Sequence, residues 1–174
     1  VCNADVCLAL APPCRPHYAS ARPRELVGRH PLTMQTTIRF ATTPAEIVRC
    51  FPVMSQLRPM LIAEEFVDRI QAQQAEGYQL AFLEDEGIIV AVAGFRLQTL
   101  LWSGRTLYVD DLITDAAQRS QGHGGTMLTW LIALAREAGC TTFMLDSGTH
   151  HHEAHAFYFR HGLRISDFQF KLTL

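Results

Sequence analysis

Residues 107–128 read LYVDDLITDAAQRSQGHGGTML, and this stretch decides the fold. An apolar run of β character, 106–114, passes into a short polar turn. From about Gly122 onward the apolar residues Met127, Leu128, Leu131, Ile132, Ala135 and Ala138 recur at helical spacing, and Gly139 stops them. Strand, glycine-rich turn and helix together build an anion site. Glycines let backbone N–H groups come close to a ligand, and the helix N-terminus contributes about half a positive charge. Arg119 at the mouth offers a planar fork for phosphate oxygens. The stretch therefore predicts a ligand carrying a phosphate or pyrophosphate.

The details of the turn narrow the choice. A Walker site needs Gly-Lys-Ser/Thr, and the only lysine of the chain is Lys171. The dinucleotide fingerprint needs a third glycine, which Gly122-His-Gly124-Gly125-Thr-Met-Leu lacks. What remains is Arg119-x-x-Gly122-x-Gly124 behind a strand. A second pattern lies further on: His151-His-Glu-Ala154-His-Ala-Phe157-Tyr158-Phe-Arg-His-Gly162-Leu163. In this order and at this separation, the two resemble the pyrophosphate-cradling motif and the late Asn-x-x-Ala-x-x-Phe-Tyr-x-x-x-Gly-Phe motif of the GNAT acetyltransferase superfamily. Ala154, Phe157, Tyr158 and Gly162 fall in register, whereas His151 stands in the asparagine position and Leu163 in the last aromatic one. The resemblance spans residues 37–174.

The resemblance implies an N-acetyltransferase in which a primary amine attacks acetyl-CoA directly in a ternary complex. It places the pyrophosphate on Arg119, Ser120, Gln121, Gly122, His123, Gly124, Gly125 and Thr126, with His151 near the cofactor. It lays the pantetheine arm along the exposed backbone of Leu112, Ile113 and Thr114, and it makes Tyr158 the acid that protonates the leaving sulfur. His123 is expected to contribute its backbone and to expose its side chain.

Asp110 and Asp111 are read from the residues themselves. Adjacent carboxylates in an apolar strand are costly to bury and should point to opposite faces. Asp110 shares strand parity with Leu112 unless a bulge intervenes. One of the two is expected to line the acceptor groove as the base that takes the ammonium proton; the bland alternative is a pair of solvated charges at a sheet edge. Glu64 and Glu65 are read as favourable charge in the first turn of a helix. Five of the eight histidines lie in His150–His161, and His151 and His155 are four apart. They lack nearby cysteines, so a solvated loop and helix start is expected, and no metal.

The rest of the chain bounds these readings. A length of 174 residues suits one domain with a substantial core. A net charge of −2 lacks the basic footprint of a nucleic-acid partner, and no apolar run reaches membrane-spanning length. Residues 1–33 hold three of the five cysteines and five of the eight prolines without a sustained period, and the first methionine is Met34. They read as a disordered extension or as a stretch ahead of the true start, with the domain over 34–174. Cys50 and Cys140, the cysteines of that domain, predict no disulfide framework and a cytoplasmic location.

Within the domain, strands are expected at 37–41, 79–83, 88–97, 106–114, 142–146 and 165–172. Helices are expected at 44–54, 63–74, from Gly122, and at 153–161. This order gives an α/β fold, a mixed and mostly antiparallel sheet flanked by helices, in agreement with the GNAT order. The acceptor is expected to be a small-molecule amine rather than a protein, and a homodimer is the assembly considered. Two other readings stand beside it: a non-catalytic acyl-CoA-binding sensor with the same fold, and a metal-dependent enzyme built on the histidines.

Overall fold

Nine strands and α-helices, and a single 3-10 turn at Ala116–Gln118, form along residues 36–174, the part of the chain that the computed structural model describes; the expectation for 1–33 lies outside it. In order they are β1 (Thr37–Phe40), α1 (Pro44–Leu57), α2 (Ala63–Ala75), β2 (Tyr78–Asp85), β3 (Ile88–Leu100), β4 (Gly104–Thr114), α3 (His123–Glu137), β5 (Thr142–Leu145) and α4 (His152–Arg160). The strands make one sheet in sequence order, antiparallel from β1 to β4 and parallel between β4 and β5. Parallel neighbours need a crossover, and α3 supplies it.

Local chemistry sets the element ends. Thr43 caps α1 in a complete capping box with Glu46, and Pro44 sits at the first helical position. The two backbone N–H donors of Thr43 and Thr42 draw the Glu46 carboxyl below its ordinary pKa. The helix runs three residues past the expected Met54, because Arg58 N donates to Met54 O and closes one more turn. Thr43→Ala should destabilise the fold by about 1 kcal/mol, seen as a lower urea midpoint at unchanged slope. Between β2 and β3, Glu86 and Gly87 have φ of 48° and 82°, as a two-residue hairpin turn of the type I′ kind demands.

The sheet is apolar on both faces. One face packs on Ile47, Cys50, Val53 and Met54 of α1 and on Phe66 and Ile70 of α2. The other packs on Met127, Leu131 and Ala135 of α3. On that second face Trp130 stands edge-on to Phe40, ring centroids 5.5 Å apart. No helix among the described residues is long and apolar enough to cross a membrane.

One expected element does not form. Residues 165–172 are not a strand: Phe168 is 82% and Phe170 94% exposed, and the segment makes no backbone ladder. Its alternation of Phe168, Phe170 and Leu172 with Gln169 and Lys171 is a strand pattern. A pattern without a hydrogen-bonded neighbour is not a strand, however, and beside it β5 has only four residues. A hydrogen bond from Gln169 Nε2 to Asp146 Oδ2, 2.8 Å long, ties this segment to the residue that follows β5.

Candidate active site

The glycine turn takes the shape of a cradle. Ser120 and Gly122 have φ of 65° and 88°, so the chain curls back on itself at the start of α3. A left-handed serine is strained by about 1–2 kcal/mol, the kind of strain that gathers at functional turns. Gly122 is the N-cap and supplies no side-chain bond. The first intrahelical donor is Thr126 N, to Gly122 O, which leaves the amides of His123, Gly124 and Gly125 projecting from the helix end. Gly124 is needed for close approach: a Cβ there would stand 3.0 Å from Thr114 Oγ1 and 3.7 Å from the Phe157 ring. A Cβ on Gly125 would meet His161 Nε2 at 3.2 Å. The turn is thus wedged between the end of β4 and α4. From α1, Gln56 holds its approach by donating to Asp115 and accepting from Ala116 N.

The side chains of the cradle divide. Arg119, Ser120, Gln121 and Thr126 are exposed, and Arg119 has no ion-pair or hydrogen-bond partner among the described residues. His123 corrects its expectation. It is 8% exposed, not solvated, and its Nε2 is buried without a hydrogen bond. The signal was available, because His123 lies four residues before Met127 and eight before Leu131, on the stripe that α3 buries. His151 sits at the N-cap of α4, exposed, with its ring 4.0 Å from that of His150.

Beside the cradle the sheet opens. Pairing of β4 with β5 ends at Val109 and Leu145, while β4 runs on to Thr114. From Asp110 to Thr114, including Leu112, Ile113 and Thr114, the edge of β4 turned away from β3 has no strand partner. A bulge sits at the start of this free edge. Gly94 and Phe95 of β3 face Asp111 and Val109, so Asp110 is an extra residue.

The bulge corrects the expectation that the two carboxylates point apart. Asp110 pairs with Arg96, and Asp111 with Tyr78 and Arg58. Tyr78 and Ile113 belong to the α1/α2 core and Val109 to the α3 core, so both aspartates lie on the α1/α2 face. Their surroundings differ. Asp111 has both oxygens taken, Oδ1 by Arg58 Nε at 2.8 Å and Oδ2 by the Tyr78 hydroxyl at 2.9 Å. Asp110 Oδ2 is buried and lies 3.3 Å from Arg96 Nε, an ion pair without the alignment of a hydrogen bond. Burial is the main influence on Asp110; it and the neighbouring Asp111 raise its pKa, and Arg96 only partly offsets them.

Two phenols stand on β4 and on α4. Tyr108 donates to Asp146 just beyond β5, at 2.5 Å. Tyr158, half-buried on α4, has its pKa raised by burial alone, so it keeps its proton at neutral pH. An open depression of about 390 Å³ lined by Phe40, Thr42, Gln74 and Tyr78 includes no residue of the cradle or of β4. Among the described residues no three His, Cys, Asp or Glu side chains converge as metal ligands would.

Of the residues missed in the sequence, Gly94 alone carried a signal. A lone glycine inside an apolar strand marks a bulge or a close approach. Arg58, Tyr78 and Arg96 gave none, for their partners are distant in sequence.

The chain is similar to known proteins. Residues 45–163 match the family model described as Acetyltransferase (GNAT) family. The uncharacterized N-acetyltransferase YhdJ of Bacillus subtilis is 33% identical over 132 residues, 75% of this chain and 93% of that protein. The aminoalkylphosphonate N-acetyltransferase of Salmonella typhimurium is 31% identical over 99 residues, 56% of this chain and 62% of that one. Among solved structures, an aminoglycoside N-acetyltransferase AAC(6')-Iy in complex with CoA superposes with a TM-score of 0.71 at 12% identity, covering 84% of this chain and 99% of its own. At that identity it speaks for the fold alone.

Proposed function

This chain belongs to the GNAT acetyltransferase family and is an acyltransferase, and on that footing we propose that it moves the acetyl group of acetyl-CoA to the primary amine of a small molecule by direct attack in a ternary complex. One observation carries the reading: the unpaired edge of β4 runs from Asp110, whose Oδ2 is buried without a hydrogen bond, to the projecting amides at the start of α3. The donor set fits a pyrophosphate, with three amides at a helix end, exposed Arg119 alongside, and glycine where a side chain would intrude. Ser120, Gln121 and Thr126 line the same turn, and His151 stands at the start of α4. When bound, acetyl-CoA supplies the thioester carbonyl.

The chain's own groups do the rest. The backbone N–H groups of Leu112 and Thr114, turned away from β3, orient the pantetheine arm and polarise the carbonyl oxygen, while Ile113 between them, opposite Val92, spends its own on β3. Asp110 takes the proton of the incoming ammonium; burial raises its pKa and makes it a stronger base than an ordinary aspartate. Tyr158 donates its hydroxyl proton to the departing sulfur. Asp111, with both oxygens engaged, is the poorer base of the two.

The test is an amine panel read by thiol release from acetyl-CoA. Aminoalkylphosphonates and aminoglycosides belong in it because the relatives' names point to them, and polyamines and a lysine peptide cover the remaining classes. A panel with no turnover above background would defeat the transfer reading. With the best amine, Tyr158→Phe should lower turnover by about 10²–10⁴-fold and leave acetyl-CoA affinity unchanged. A wild-type rate with chemistry rate-limiting would make the phenol a packing residue beside Phe157.

A further inference from the structure

Two adjacent carboxylates on one face raise a question that the transfer reading leaves open: what makes one of them the base. We propose that Tyr78 and Arg58 are positioning residues that act through Asp111, clamping the β4 bulge so that Asp110 alone presents a carboxylate free of strong hydrogen bonds to the acceptor. The proposal rests on the reading of Asp110 as the base, and nothing in the relatives assigns either residue a role.

Arg58 grips both residues of the bulge. Its Nε donates to Asp111 Oδ1 at 2.8 Å and its Nη2 to the Asp110 carbonyl at 3.1 Å. A bulge leaves a backbone group out of the ladder, and an unsatisfied polar group at a sheet surface is costly. The guanidinium fork meets that need and fixes the neighbouring carboxylate with the same plane. Arg58 is the C-cap of α1, so the helix is tied to the strand at the point where pairing with β5 stops.

Tyr78 closes the clamp from the opposite side. It begins β2, two strands away from β4, and its ring must pass over β3 to reach Asp111. It does so at Gly94, where a Cβ would come within 1.7 Å of the hydroxyl oxygen. The glycine and the tyrosine are therefore a matched pair. Tyr78 is 3% exposed, and burial pushes its pKa upward, so the phenol stays a donor. Burying a hydroxyl is unfavourable without a partner, and Asp111 Oδ2 at 2.9 Å is that partner. Packing alone would be served as well by phenylalanine.

Arg96 completes the separation. Its Nη2 donates to Gln73 Oε1 at 2.9 Å and its Nη1 to Glu76 O at 3.3 Å, with the guanidinium 5.4 Å over the Tyr78 ring. Held from three sides, it neutralises Asp110 without saturating it.

The experiment is a double-mutant cycle on kcat with the fastest amine of the panel, alongside melting temperature and acetyl-CoA affinity. Tyr78→Phe should fold, bind acetyl-CoA within about twofold of wild type, and lose at least about tenfold in kcat, since small misplacement of reacting groups is worth that much. Arg58→Lys, which keeps the charge but not the fork, should behave alike. In an Asp111→Ala background Tyr78→Phe should have little further effect, because the group it acts through is gone, whereas Arg58→Lys should keep the part that runs through the Asp110 carbonyl. Wild-type kcat in Tyr78→Phe and Arg58→Lys, or a Tyr78→Phe loss that multiplies with that of Asp111→Ala, would overturn the clamp. So would a drop in melting temperature with kcat intact, the mark of a merely structural role. An inactive Asp110→Asn with a fully active Tyr78→Phe would sink the clamp and leave the base standing. A fully active Asp110→Asn would remove the base and the clamp with it.

Discussion

Asp110→Asn should lower turnover by about 10²–10⁴-fold while leaving acetyl-CoA affinity near wild type. The substitution preserves shape and removes the lone pair that accepts the ammonium proton. The pH dependence gives the sharper test. A base works only when deprotonated, so wild-type kcat/KM should be lost as pH falls through the Asp110 pKa. Burial raises that pKa, with Asp111 adding to it, so the limb should lie above the range of an ordinary aspartate. Asp110→Asn should abolish this limb from whatever activity remains. Asp111→Asn should keep it, because Asp111 already has both oxygens committed to Arg58 and Tyr78. An acid limb that survives Asp110→Asn unchanged would assign the base elsewhere.

Gly124→Glu should eliminate acetyl-CoA binding. The position faces Thr114 Oγ1 and the Phe157 ring, so a side chain has to push β4 and α4 apart or swing across the free amides. A carboxylate at a helix N-terminus would also occupy those amides itself and repel a pyrophosphate. In the wild type, acetyl-CoA at about a hundred times its Kd should stabilise the fold by about 2.7 kcal/mol, read as a higher melting temperature. The variant should show no such rise. Gly124→Ala is the milder control: at 3.0 Å the threonine hydroxyl has to yield only a few tenths of an ångström, so binding should weaken without vanishing. Wild-type affinity in a folded Gly124→Glu protein would refute the cradle.

Much of this was legible in the chain. Glu86-Gly87 fits its hairpin turn, Thr43 and Glu46 announce a capping box, and the apolar stripe of α3 follows the helical period. Each is a signal between residues at most a few positions apart, where backbone geometry allows few alternatives. The His123 correction shows the same rule from the other side, since the period from Met127 and Leu131 points to a buried residue at 123. The expected strand at 165–172 shows its limit. Alternation describes what a segment would bury if it were paired, and pairing depends on an edge supplied from elsewhere.

By itself the sequence determined the strand–turn–helix cradle, the identity of its glycines and the α/β order of the elements from β1 to α4, because those rest on local spacing. Only the tertiary structure decided what the two aspartates are. Period two places Asp110 and Asp111 on opposite faces, and one extra residue opposite Gly94 and Phe95 brings both to the α1/α2 face. Their neighbours then divide them. Tyr78 and Arg58, 33 and 53 residues from Asp111 in the chain, occupy its oxygens, while Asp110 keeps one that is buried and unbonded. A carboxylate's basicity is set by its desolvation and by the donors around it, and both are properties of packed neighbours that no spacing along the chain encodes.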